Sequence, residues 1–366
     1  MPKLTMMELT ENKAWDGFSP VQRGADWDKK RVHFAEFLES LTDMSYGRRL
    51  VALEEAMSTS DFPYLFGDTI DREMVANFKT QKSDLQQIMR KATLPNFLTV
   101  KRFRMDGLAG RLQNVPEMDA YHAAELSEDQ VSYAILKWRK QVGFSWEAWL
   151  NDDIGAFSDV AQRLADAARA TEDYLATSIL VNSSGPITAN FNTVGSAVLT
   201  ISALETGVEA MDAYTDPDSS EPVETFPAYL VVPPALRMTA LRILNADAVV
   251  IAGTTDAQTP NINSLKSLGL KLIIDPWLPI VNTTNGSTNW YLFTEPSNLA
   301  FGEIGRLRGH ETPEIFQKMS DQTRVGGGAS SPFDGSFDND SIEWKVRHCV
   351  NAVALNKYAG YASTGA

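Results

Sequence analysis

Between Leu98 and Trp149 the chain carries strand-forming runs that cannot cover their own apolar residues. Leu98 to Met105 (LTVKRFRM) reads as a strand, and Gly107, Gly110 and Pro116 punctuate a turn region. Tyr121 to Leu126 and Val131 to Val142 read as two further strands, joined through Ser127-Glu128-Asp129-Gln130. Val131, Tyr133 and Ile135 alternate onto one face, and Ala134, Leu136 and Trp138 onto the other. Lys137, Arg139 and Lys140 cluster at the far end. An isolated two-stranded ribbon is marginal in water. A long hairpin with both faces mixed therefore becomes stable only against a neighbour.

Directly after it, residues 150–182 are expected to form a long helix. Asn151, Asp152 or Asp153 can cap it, since an acidic side chain suits the positive helix start. Ile154, Phe157, Val160, Ala161, Leu164, Ala168, Leu175 and Ile179 recur at three and four, and Ser183-Ser184-Gly185-Pro186 ends the run. Its length would be roughly 45 Å, that of a structural spine rather than an ordinary core helix.

The remaining stretches fall around these two. Residues 1–92 are polar and helix-forming. Trp27 to Thr42 is amphipathic, and Leu50 to Met57 and Ile70 to Met89 suggest further helices. From 199 to 317 helices and strands alternate. Leu199 to Tyr214 reads as a helix, Ala228 to Val232 as an apolar strand, and Pro233-Pro234 opens a helix through Leu244. Leu270 to Ile274, Trp290 to Phe293, Phe301 to Leu307 and Glu314 to Met319 read as strands, with a tight turn at Asn285-Gly286. An acidic loop (Asp216, Asp218, Glu221, Glu224) interrupts this part. Residues 320–341 form a Gly/Ser/Asp loop. Beyond it Ile342, Trp344, Val346 and Val350 alternate with Glu343, Lys345, Arg347 and Cys349 in a strand. The fold class is α+β.

Composition narrows the function. At 43% hydrophobic and 22% charged the chain can bury a sizeable core. One cysteine, Cys349, excludes an internal disulfide and a cysteine-based zinc site and suits a reducing cytosol. The start has no basic-then-apolar signal sequence, so the Asn182, Asn282 and Asn285 sequons carry no glycosylation meaning. No apolar run reaches the roughly 18–20 residues of a membrane span. A net charge of −14 opposes general attraction to duplex phosphate. It suits a soluble protein, or a container wall to which packed DNA does not stick.

A search for chemistry finds no phosphate loop, dinucleotide fingerprint, nucleophile elbow or His-Glu-x-x-His run. His33, His122, His310 and His348 lie in different segments, where a lone histidine is usually a surface or satisfied core residue. Adjacent Asp152 and Asp153 do not share a helix face, so capping explains them better than acid–base work. Asp334, Asp338, Asp340 and Glu343 lack the ligand spacing and central glycine of a calcium loop. The expected cofactor and metal complement is none. Lys137, Trp138, Arg139 and Lys140 have the residue types of a nucleic-acid contact, but the run is short and the chain acidic. A subunit–subunit surface and an ordinary solvated strand end weigh equally there.

The order of elements resembles the tailed-phage major capsid protein of the Hong Kong 97 type, and more specifically the Mu-type major head subunit group. Tyr133 to Trp149 (YAILKWRKQVGFSWEAW), Asn151 to Phe157 and the helix to Leu180 carry the likeness. YLVVPPALRMTALRIL, LKLIIDPWLP, NWYLF and IEWKVRHCVNAVALNKYAGY fit the same group. The resemblance implies a helical arm over 1–92, an extended loop over 93–149, a peripheral domain from 150–194 and 339–366, and an axial domain over 195–338. It implies a non-enzymatic subunit that assembles with itself into hexamers and pentamers around double-stranded DNA, bound without sequence specificity. Tyr133, Lys137, Trp138, Arg139 and Lys140 are the expected inter-subunit contacts. Portal and scaffold or decoration proteins are further implied partners. The membrane is not one. The virion capsid is the implied location, after assembly in the host cytoplasm. No Lys, Asn and Glu set matches the covalent cross-link of some relatives. A nanocompartment shell of the same fold, and a soluble carboxylate hydrolase, are the alternatives.

Overall fold

The computed structural model of the chain describes residues 74–79, 84–106, 127–145, 147, 155–216, 221–249, 261–323, 325 and 334–366. It divides into two compact units. One comprises Met1–Gln81, Lys137–Ala168 and Thr312–His348, the other Lys82–Leu136, Arg169–Glu311 and Cys349–Ala366.

In chain order the strands begin with β1 (Met89–Leu94), β2 (Val100–Asp106), β3 (Ser127–Tyr133) and β4 (Leu136–Ser145). Helix α1 (Gly155–Ser178) follows, then the short pair β5 (Val181–Asn182) and β6 (Gly185–Pro186), β7 (Thr193–Gly195) and α2 (Ile201–Asp212). Next come β8 (Pro227–Val232), α3 (Arg237–Asn245), β9 (Ala248–Val249), β10 (Asn261–Ile262), β11 (Lys271–Ile274) and the single turn α4 (Leu278–Val281). The chain closes with β12 (Trp290–Thr294), β13 (Gly302–Leu307), β14 (Glu314–Gln317), β15 (Ser341–Ala354) and β16 (Gly360–Ser363).

The larger unit holds a mixed sheet in the order β11-β8-β12-β16-β7. Its centre, β12, reads WYLFT and every residue is buried, which is why the run shows no polar alternation. Trp290 and Leu292 point into a core with Leu204 and Met211 of α2 and Ala240 and Ile243 of α3. Tyr291 and Phe293 belong to an aromatic cluster with Phe191 and Phe301, at centroid separations of 4.8–6.2 Å. Helix α2 starts where the Thr200 hydroxyl accepts the Ala203 N–H at 3.2 Å. Pro233-Pro234 leads through one tight turn into α3, as its proline signature predicts.

A second layer of the same unit supports the hairpin. β1 lies parallel to β13, and β13 lies antiparallel to the last part of β15, from Gly302↔Ala354 to Arg306↔Val350. Leu94, Tyr133, Ile135, Leu307 and Cys349 pack together there. In the smaller unit, β14 pairs with the first part of β15, where Ile342, Trp344 and Val346 alternate inward. β4 also pairs with β15, and Phe144 meets Trp344 edge-on at 5.9 Å. Residues 74–79 are helical and bury Met74, Val75 and Phe78.

Several expectations need correction. The hairpin is β2 with β3, in register from Val100↔Tyr133 to Asp106↔Ser127, so Ser127 to Gln130 are strand and not its turn. The run from Val131 to Val142 is two strands, broken at Ala134-Ile135, because β3 pairs with β2 and β4 with β15. Tyr121 to Leu126 lies outside the described residues, as do Trp27 to Thr42, Leu50 to Met57 and the caps Asn151 to Asp153. Ile70 to Met89 is no single helix: Leu85–Ile88 is a tight turn, and Met89 opens β1 within the expected helical arm. Helix α1 ends at Ser178, about 36 Å long at 1.5 Å per residue. Ile179, Leu180 and Val181 are all buried, and three successive residues cannot share one helix face, so the chain turns there into β5. His348, Cys349 and Val350 are likewise buried in succession, so the C-terminal strand stops alternating there.

Candidate functional site

Strand β13 reads GEIGRL, an acid and a base three residues apart in an otherwise apolar and glycine-containing strand. Glu303 is fully buried. Its register partner on β1 is Arg90, whose Nε donates to Oε2 at 2.9 Å and whose Nη2 also reaches that oxygen. Arg102 of β2 donates to Oε1 through Nε and Nη2, at 2.9 and 2.7 Å. The Tyr133 hydroxyl of β3 donates to the same oxygen. One carboxylate thus gathers β1, β2 and β3 onto β13.

A second fully buried carboxylate, Glu172 of α1, repeats the design. Arg306 of β13 grips it with both prongs, at 2.8 and 2.9 Å. Arg169 donates at 3.0 Å and the Gln86 amide at 2.7 Å. Three residues apart on β13, and so on opposite faces of it, Glu303 and Arg306 fasten the hairpin base and the second half of α1 to a single strand. Fork-to-carboxylate geometry sets orientation as well as energy.

Electrostatics match this mechanical role. Burial pushes the Glu303 carboxyl up, but donation from Tyr133, Arg90 and Arg102 outweighs burial and holds it below its ordinary value. Burial, followed by the hydrogen bond to Glu303, raises the Tyr133 phenol. The Glu303 hydrogen bond raises Arg102 against the opposing effect of burial. Glu303 stays ionised with its oxygens occupied, so it has little basicity to offer a substrate. Among the described residues no three His, Cys, Asp or Glu side chains gather as a metal site, and no helix is long and apolar enough to cross a membrane.

Gly305 sits between the two anchors. A Cβ there would lie 2.6 Å from the Tyr133 hydroxyl and 2.7 Å from Leu94 Cδ1. Gly305→Ala must displace Tyr133 from Glu303, and is expected to cost about 1–3 kcal/mol, read from the urea midpoint. An unchanged midpoint would mean that Tyr133 yields freely.

Tyr133, one of the five expected contact residues, is 6% exposed and bonded inside its own unit. Lys137, Arg139 and Lys140 are exposed on β4 of the other unit, with Trp138 partly buried among them. His310 is exposed in a turn, while buried His348 meets the edge of Phe78 at 5.5 Å. His33 and His122 lie outside the described residues. Sequence reasoning missed Glu303, Arg306, Arg90, Arg102 and Glu172. The available signal was the charged pair inside the apolar run FGEIGRL.

Residues 128–363 match the model of a family described as phage capsid protein. No curated protein matches the chain. Among solved structures, the virus-like particle from Pyrococcus furiosus is similar at 11% identity and a TM-score of 0.45, over 81% of this chain and 99% of that one. The capsid of cyanophage P-SCSP1u is similar at 12% identity and 0.47, over 77% and 88%. The capsid of Myoviridae phage XM1 is similar at 11% and 0.45, over 78% and 94%.

Proposed function

The chain belongs to the phage capsid protein family, and from that membership we propose that it is the major subunit of a tailed phage's icosahedral head, of the Mu-type group. It is a structural protein of the virion capsid and not an enzyme, and it assembles with copies of itself. The finer reading is that hexamers and pentamers of this subunit close around double-stranded DNA held without sequence specificity. Its net charge of −14 supports that reading, because it disfavours adhesion to packed phosphate. Portal and scaffold or decoration proteins are proposed as further partners, with assembly in the host cytoplasm.

The observation that carries the reading is the family match, which runs from within β3 to β16. We assign residues 93–149 to an extended loop lying over the next subunit, with its base fixed by Glu303. Residues 1–92 are assigned to an arm, 150–194 with 339–366 to a peripheral domain, and 195–338 to an axial domain. Lys137, Trp138, Arg139 and Lys140 are the proposed contacts with a neighbouring copy. Their exposed charges on an otherwise acidic chain favour an acidic surface there.

Purified full-length protein viewed by negative-stain electron microscopy is expected to show capsomers, shells or tubes. A homogeneous monomer that persists at high concentration would defeat the proposal.

A further inference from the structure

The last turns of α1 meet the corner between β11 and α4 through one buried carboxyl, Asp275, which is 3% exposed. Its Oδ1 accepts the Trp277 N–H at 2.9 Å, and its Oδ2 lies 2.7 Å from the Thr177 hydroxyl. That same hydroxyl lies 3.0 Å from the Asp173 carbonyl oxygen, one turn back along α1. A threonine hydroxyl has one hydrogen and two lone pairs. With an ionised Asp275 it faces two acceptors and can serve only one. With a protonated Asp275 every contact is served: the carboxylic O–H donates to Thr177 Oγ1, and Thr177 donates to the Asp173 carbonyl.

We propose that in mild acid Asp275 carries a proton in the folded subunit and acts as an acid-set latch between the end of α1 and the β11–α4 corner. The surroundings favour the neutral form. The titratable groups that face Asp275 are Asp173 on α1 and Tyr291 on β12. Neighbouring β8 supplies the Val232 carbonyl, which accepts the Asp275 backbone N–H at 3.0 Å. On α4's side Trp277 brings its ring edge against Tyr174 at 5.8 Å, closing the corner with apolar surface. Burial, reinforced by the Asp173 charge, raises the Asp275 carboxyl to about 6 against the opposing hydrogen bonds from Thr177 and Trp277. As pH rises past that value the latch loses its proton, Thr177 must abandon one acceptor, and two negative charges face each other. This property belongs to the single subunit and stands apart from the assembly reading.

The sign follows from linkage. A carboxyl raised in the folded state favours folding when protonated, so its contribution falls as pH rises from the unfolded value to about 6, then levels off. Thermal unfolding of the dilute full-length chain at pH 5 and pH 8 tests the latch with Asp275→Asn, whose amide reproduces the donor. The variant is expected to unfold at a higher temperature than wild type at pH 8, and to lose about half of that advantage at pH 5. A variant less stable than wild type at both pH values would overturn the proposal. Should Asp275→Asn yield no soluble protein, infrared spectra of the wild-type chain with carbon-13-labelled aspartate decide instead. A protonated carboxyl band that titrates near pH 6 supports the latch, and its absence at pH 5 overturns it.

Discussion

Glu303→Ala is expected to destabilise the subunit by about 3–5 kcal/mol, the usual result of removing one member of a buried, hydrogen-bonded ion pair. The carboxylate is fully buried, and its loss leaves three donors converging on nothing. Those donors do not suffer equally. Arg90 is half exposed and can turn to water, so Arg90→Ala is expected to cost under about 1 kcal/mol. Arg102 is less exposed, and Tyr133 lies in the core with Leu94 and Leu307, so their hydrogen bonds carry most of the loss. Urea unfolding of the single and double variants measures this, because residues sharing one network do not act additively. Glu303→Ala within about 1 kcal/mol of wild type would remove the anchor role. Acid should mimic the substitution. The folded carboxyl is held below its ordinary value, so its contribution is full above the unfolded glutamate's titration range and fades as pH falls through the lowered folded value.

Much of the fold was legible because it rests on local periodicity. Helix α2, the Pro-Pro entry to α3 and strands β8, β11 and β12 fall where pattern and punctuation put them. The hairpin was misread for a physical reason. Ser127 to Gln130 have turn-forming chemistry, yet Val100 to Asp106 offer them a continuous antiparallel edge, and pairing overrides propensity. The anchors were hidden for another. Gln86, Arg90, Arg102, Glu172, Glu303 and Arg306 are scattered over more than two hundred positions, and no spacing rule joins them. A charged pair inside FGEIGRL says only that something must neutralise it. Identifying the neutralising residues requires the register of β1 on β13 and the path of α1.

Excising residues 107–126 is expected to leave a folded subunit that forms no shells. The design follows from register. Asp106 and Ser127 are direct partners at the open end of the β2–β3 ribbon, so a two-residue Asn-Gly link closes it without moving either strand. The anchors at Arg102 and Tyr133 lie below the cut, and so does the core around Ile135. The urea midpoint should therefore stay within about 1 kcal/mol of wild type. A wider deletion, Tyr121 to Val142, is a poor test. It would remove Tyr133 and Ile135 from the core and the start of β4, so failed assembly would report only a broken subunit. The narrow excision separates the two effects. A closed shell needs interfaces that commonly bury roughly 2,000 Å² or more, and the proposed extended loop, laid on a neighbour, would supply a share of that area. Normal shells from the excised chain, seen by electron microscopy, would place the decisive contact elsewhere, with Lys137, Arg139 and Lys140 on β4 as the next residues to reverse in charge.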